Sequence, residues 1–236
     1  MSKIDFEITS DLKVGNGHPD FANSATLPAK IYLARHGTSE WNKKKRVSGQ
    51  LDPPLSEKGI EQSHVLAQVL QNENLTGIYA STLSRAVDTA HPTSQYHNLP
   101  INKVNGLKEI HMGILQGRYR DHRDSEAQYL WSLRKENKLK FQIAGGETYS
   151  DLKHRIVPCL KNIFKNEIGG TILIVGHRNT NRVILEALFH WKDKEAINVN
   201  LRSKYLYEIV PGAKPQCNTI SLAKEKAGSV IKGFIS

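Results

Sequence analysis

The chain has 236 residues, with 33 Lys and Arg against 23 Asp and Glu, a formal net charge of +10. A hydrophobic share of 39 % and a charged share of 24 % suit one soluble domain of ordinary size and exclude wholesale disorder. The charge alone leaves a nucleic acid, an anionic membrane or a small anionic substrate open as partner, or none of these.

Residues 1–29 are polar and rich in Asp, Asn, Gly, Ser and Pro; they read as a loosely ordered N-terminal arm, with a short strand over 4–8 as an option. The arm lacks the basic start and apolar core of a secretory signal. Asp5, Glu7, Asp11 and Asp20 argue against a mitochondrial transit peptide, so a cytoplasmic location is expected. No stretch reaches the ~18 apolar residues that a spanning helix needs. Cys159 and Cys217 are too few for a disulfide framework and lie in apolar-periodic segments; they are expected to be reduced and buried.

From Lys30 onward strand and helix patterns alternate. Ile31-Tyr32-Leu33-Ala34, Gly77-Ile78-Tyr79-Ala80-Ser81 and Thr171-Ile172-Leu173-Ile174-Val175-Gly176 read as strands, the last β-branched and continuous as in a strand covered on both faces. A helix is predicted after Ser56, with Leu66, Val69 and Leu70 apolar. A second runs over 147–164, with Leu152, Ile156, Cys159, Leu160, Ile163 and Phe164 on one stripe, and Pro158 is expected to kink or split it. A third covers 179–188. The tail alternates as strands over 204–210, 217–222 and 229–235. Together these predict an α/β three-layer sandwich whose central sheet is mostly parallel and covered by helices on both faces, with late strands free to run antiparallel.

In such sheets ligands bind beyond the carboxyl ends of the strands. Two of the three core strands end there in Arg35-His36-Gly37 and Gly176-His177-Arg178, and the remaining one leads to Arg85 at a helix start. One Arg-His-Gly tripeptide is a weak signal; two such ends plus Arg85 are a strong one. Helix N-termini and arginine forks select anions, phosphate above all. A metal is the poorer guest, because each histidine adjoins an arginine.

The string Leu33-Ala34-Arg35-His36-Gly37-Thr38-Ser39-Glu40-Trp41-Asn42 resembles the signature of the histidine phosphatase (phosphoglycerate mutase-like) superfamily. The likeness continues through Ser48-Gly49, Asp52-Pro53-Pro54-Leu55-Ser56-Glu57-Lys58-Gly59, and Ser81-Thr82-Leu83-Ser84-Arg85-Ala86-Val87-Asp88-Thr89-Ala90. It resumes at Leu107-Lys108-Glu109-Ile110, Gly113-Ile114-Leu115-Gln116-Gly117, Gly145-Gly146-Glu147-Thr148 and Val175-Gly176-His177. The resemblance implies a catalytic domain over 30–236. His36 would be the nucleophile that becomes phosphorylated, with Arg35, Arg85 and a protonated His177 as the phosphate clamp. Asn42 would be a further donor, Glu109 the general acid and then base, and Ser48 and Gly49 pocket residues. Fixed cations supply most of the catalysis in phosphoryl transfer, so no metal or other cofactor is called for.

Within the superfamily three features lean toward a phosphatase acting on a small phosphate ester rather than a mutase. Glu109-Ile110-His111-Met112-Gly113 stands where mutases resemble Glu-Arg-His-Tyr-Gly. Only 27 residues, 118–144, fill the position of the variable lid, and the mutases' paired arginines after a tryptophan are absent; Trp131-Ser132-Leu133-Arg134 is nearest. A mutase and a phosphate-pocket scaffold protein are the alternatives. Arg178, where the family usually has a small residue, either adds a third cation over the substrate or leaves the site while its N–H binds phosphate. The basic lid either grips a second anionic group or is a solvated helix. Lys43-Lys44-Lys45-Arg46 suits a basic rim beside an anion-binding mouth better than a nucleic-acid patch, so neither nucleic acid nor membrane is expected as partner.

Overall fold

Three apolar runs and one half-polar edge strand pair in parallel to form the half of the sheet that carries the predicted site. In the computed structural model, which describes residues 21–235, these are β1 (Lys30–Arg35), β2 (Gly77–Ser81), β3 (Ile101–Val104) and β4 (Thr171–Gly176). β5 (Tyr205–Val210), β6 (Gln216–Ser221) and β7 (Val230–Lys232) extend the sheet antiparallel beyond β1, in the order β3-β2-β4-β1-β5-β6-β7. The parallel part needs crossovers, and helices supply them.

Two short helices, α1 (Glu40–Lys43) and α7 (Asp193–Ala196), flank the longer ones. α2 (Glu57–Leu70) and α3 (Ser84–His97) cover one face; α5 (Tyr149–Asn166) and α6 (Arg178–Phe189) cover the other. The sequence alternation decides the faces. Ile31, Leu33, Ile172 and Ile174 join the α5–α6 core, whereas Tyr32, Ala34, Leu173 and Val175 join the α2–α3 core. A strand buried on both sides leaves no polar position, which is why β4 is an unbroken apolar run.

Pro158 does not split α5, which is continuous through residue 166. Its ring is on the exposed side and removes one backbone hydrogen bond, while Leu152, Ile156, Leu160 and Ile163 bury the opposite stripe on both sides of it. The cysteines are free but only half-buried, not fully buried as expected: Cys159 lies at the flank of that stripe and Cys217 in β6, one strand from the sheet edge. The option of a strand over 4–8 lies outside the described residues. The described end of the arm packs on the body. Phe21 and Leu27 are buried, and Phe21 meets Phe164 of α5 edge to face with centroids 5.5 Å apart.

Candidate active site

Register brings the two histidine motifs together. Arg35 of β1 pairs with Gly176 of β4, so His36 and His177 leave adjacent strands at the same carboxyl edge. The His36 N–H donates to the Gly176 carbonyl at 2.9 Å, and the Asn181 amide of α6 donates to Ala34 O at 2.9 Å, tying both ends into one unit. The rings lie 5.1 Å apart between centroids. At Gly37 packing requires glycine: a Cβ there would fall 2.6 Å from the Gly59 carbonyl, where α2 begins.

His36 is buried, and its Nδ1 sits 2.7 Å from its neighbour's carbonyl, Gly37 O. A carbonyl only accepts, so Nδ1 carries the proton and Nε2 keeps its lone pair. Burial, then Arg35 and Arg85, hold the His36 pKa well below the ordinary histidine value. His177 is also held well below it, first by burial and then by Arg85 and His36, and neither of its ring nitrogens has a partner among the described residues. That direction disfavours, in the free protein, the protonated His177 expected from the sequence, and a bound anion would oppose it.

Three arginines converge on the histidines. Arg85, the second residue of α3, is 1 % exposed; its fork donates to Gly49 O and Leu51 O, each at 2.8 Å, and pairs with Asp52 at 3.4 Å. Arg35 donates to Leu201 O at 3.1 Å. Burial first, and Arg178 next, push its guanidinium down to about 9. Arg178 opens α6 and lines the same cavity, so its side chain stays at the site as a third cation. Each of the three has a buried Nε–H without a partner among the described residues. Buried donors of this kind are costly unless an acceptor meets them, and a phosphoryl group has the oxygens to do so.

The cavity, about 320 Å³, is lined by His36, these arginines, Asn42, Ser48, Gly49 and Glu109. Asn42 Oδ1 accepts from the Ser39 N–H in a capping box, which leaves its amide NH₂ to donate. The Glu109 carboxylate accepts N–H groups from Ile110 at 2.9 Å and from Asn179 at 3.2 Å, the latter in the first turn of α6. Ile110 and Met112 add apolar wall. Of the basic run after α1, Arg46 alone lines the cavity; it stacks over Trp41 at 4.0 Å, while Lys43, Lys44 and Lys45 are exposed beside it.

Sequence reasoning missed Arg155, whose role lies in the backbone it holds. From α5 it donates to Gly106 O, Lys108 O and Glu109 O at 2.8–3.0 Å and pairs with Glu147 at 2.7 Å. Glu147 in turn accepts the His111 N–H at 2.8 Å. Burial opposes ionisation of Glu147, but Arg155 and that N–H hold its carboxyl below the ordinary value. An arginine on the polar flank of an amphipathic helix gives no pattern signal. The lid was visible only as charge. It contains α4 (Ser125–Glu136), capped by Asp124, and it divides its cations. Arg118 pairs with Asp124 at 2.7 Å and Arg123 with Asp121 at 2.7 Å, whereas Arg120 and Trp131 line the cavity.

Two histidines on adjacent parallel strands, ringed by arginines at the carboxyl edge of a helix-covered sheet, form a site suited to an anionic group. Residues 31–215 match the profile of the "Histidine phosphatase superfamily (branch 1)", and the chain belongs to that superfamily. Over 148 residues it is 34 % identical to the "Probable phosphoglycerate mutase GpmB" of Photorhabdus laumondii, covering 63 % of this chain and 69 % of that one. Its fold is similar to that of the alpha-ribazole phosphatase from Shigella flexneri, with TM-score 0.69, 23 % identity and coverage of 76 % and 89 % of the two chains. It is likewise similar to a mycobacterial glucosyl-3-phosphoglycerate phosphatase, with TM-score 0.71, 23 % identity and coverage of 81 % and 97 %.

Proposed function

We propose that the protein is a phosphomonoesterase that hydrolyses a small phosphate ester through phospho-His36. The observation that carries this reading is the unprotonated His36 Nε2 in a cavity that also holds Arg35, Arg85, Arg178 and the Glu109 carboxylate. The Nε2 lone pair attacks phosphorus as the ester P–O bond breaks. The three arginines and Asn42 bind the equatorial oxygens, where the transition-state charge is spread. Glu109 passes a proton to the departing alkoxide; as carboxylate it then takes one from water, which attacks phosphorus and breaks the P–N bond. Phosphate leaves and His36 regains its lone pair. His177, beside the nucleophile, donates from a ring nitrogen to a phosphoryl oxygen.

Hydrolysis rather than mutase transfer is supported by Ile110 and Met112, apolar where family mutases carry a charged and a phenolic group for a substrate carboxylate. The second reading, a mutase, is favoured by the name of the 34 %-identical relative. Incubation with p-nitrophenyl phosphate and EDTA tests the proposal: turnover with an acid-labile phosphohistidine on His36, both lost in His36→Ala, is expected. Isomerisation of 3-phosphoglycerate with little phosphate release would overturn it in favour of the mutase.

A further inference from the structure

A second cavity of about 350 Å³ adjoins the first and shares with it a wall of Met112, Arg120, Trp131, Arg178 and Asn179. Beyond that wall it is lined by Arg134, Lys135 and Lys138 of the lid, Arg182 of α6, and Asn198 and Asn200. Six cations thus surround it, and no carboxylate is among its lining residues. Of the lid's four carboxylates, Asp121, Asp124 and Glu126 face Arg118 and Arg123 instead, and Glu136 is exposed and lines neither cavity. Arg118 and Arg123 are thus neutralised outside the cavity, whereas the cations that line it have no ion pair among the described residues.

Two of the inward cations are deeply buried. Arg134 is 7 % exposed and forms no hydrogen bond or ion pair to any described residue; Arg182, 8 % exposed, reaches only the neutral Val199 O and Asn179 Oδ1, at 2.8 and 2.9 Å. Lys138 Nζ likewise contacts only neutral oxygens, on Ile197 and Asn198. Burial lowers the Lys138 pKa, and Arg182, Arg134 and Arg178 lower it further, which is the mark of like charges facing one space. For both guanidiniums the opposing charge is the Glu109 carboxylate, felt at a distance and without an ion pair among the described residues; buried cations so weakly offset are costly, and a bound anion offsets that cost. Arginine forks also match the oxygens of a phosphoryl group in pairs. So many cations answer a dianion with three acceptor oxygens better than a singly charged carboxylate.

We propose that this second cavity holds a second phosphoryl group, so that the substrate is a bisphosphorylated small molecule cleaved at the end beside His36. Arg134, Lys138 and Arg182 grip the group that is not cleaved, and Arg178, on the shared wall, lies between the two groups. This rests on the phosphomonoesterase reading for the reacting end only.

The test compares kcat/KM on fructose 1,6-bisphosphate, glucose 1,6-bisphosphate and ribulose 1,5-bisphosphate with that on each one's monophosphates and on 3-phosphoglycerate. At least one bisphosphate is expected to exceed its monophosphates and the phosphorylated acid tenfold or more. That ratio is expected to fall below threefold in Arg134→Gln and in Lys138→Gln; the second variant, nearer the surface, covers the case in which the first fails to fold. No preference in the whole panel, a preference for the carboxylate, or a ratio that both variants keep would overturn the proposal. Calorimetry on His36→Ala separates the two readings. Tighter binding of a bisphosphate than of its monophosphates, with no turnover of p-nitrophenyl phosphate by the wild type, would sustain the subsite and sink the phosphatase.

Discussion

The rings of His36 and His177 lie 5.1 Å apart between centroids, and both are buried beside Arg35 and Arg85. His36 makes a proton on His177 less favourable, and the guanidiniums disfavour one on either ring. His36 is thereby kept in its neutral form, with Gly37 O selecting the tautomer. The same crowding makes the site's ionisation depend on what it binds, because a phosphoryl dianion reverses the sign of the local field.

This dependence sets a pH profile of stability. Both histidines have folded pKa values below the ordinary 6.5, so below that pH the unfolded chain binds more protons than the folded one. Stability from this source is complete above about pH 6.5 and declines as pH falls beneath it. Between pH 7.5 and 5.5 the melting temperature is expected to drop, by less in saturating orthovanadate and by less in His177→Asn. Scanning fluorimetry checks it; a drop that neither change reduces would place the titration elsewhere.

The described end of the N-terminal arm makes a separate prediction. Phe21 and Leu27 are buried, 1 % and 2 % exposed, with Phe21 against Phe164. Burying such side chains contributes about 1.5–3 kcal/mol each. A protein lacking residues 1–29 is therefore expected to be about 3–6 kcal/mol less stable in urea than one lacking 1–20. Equal midpoints would mean that these contacts contribute nothing.

Those two residues also show where sequence reading stops. The arm's polar composition hid Phe21 and Leu27, because two apolar residues six apart make no periodic signal. The opposite holds for β1 and β4, whose unbroken apolar runs and terminal Arg-His and Gly-His pairs were legible together: a buried parallel strand must be apolar, and its carboxyl end is where ligands bind. Edge strand β3 was missed, since Asn102 and Lys103 are exposed and interrupt its apolar ends. Arg178 could be read either way, because direction of a side chain depends on packing. Arg182 is one helical turn further on the same face of α6, a spacing that ties it to Arg178.

Glu109 predicts a leaving-group effect. A general acid matters most when the departing oxygen is strongly basic. Glu109→Gln is expected to lower kcat about 10²–10⁴-fold on an alkyl phosphate. The loss on p-nitrophenyl phosphate, whose phenolate leaves unaided, is expected to be at least tenfold smaller in the phosphorylation step. Burst kinetics on both substrates read the difference; equal losses would show that Glu109 acts by charge alone.

Arg155 is a positioning residue, and its effect should follow Glu109's. It holds Gly106 O, Lys108 O and Glu109 O while pairing with Glu147, and a lysine at its place can meet only part of that set. Hydrogen bonds to charged groups contribute about 1.5–3 kcal/mol each, so Arg155→Lys is expected to cost roughly that much stability. A purely structural role would reduce the active fraction and affect every substrate alike. Displacement of the Glu109 backbone instead lowers kcat more on an alkyl phosphate than on p-nitrophenyl phosphate, with KM little changed. In Glu109→Gln that extra sensitivity has already been lost, so adding Arg155→Lys there should cost kcat equally on both esters. Independent, multiplicative losses in the double variant would break the link between the two residues.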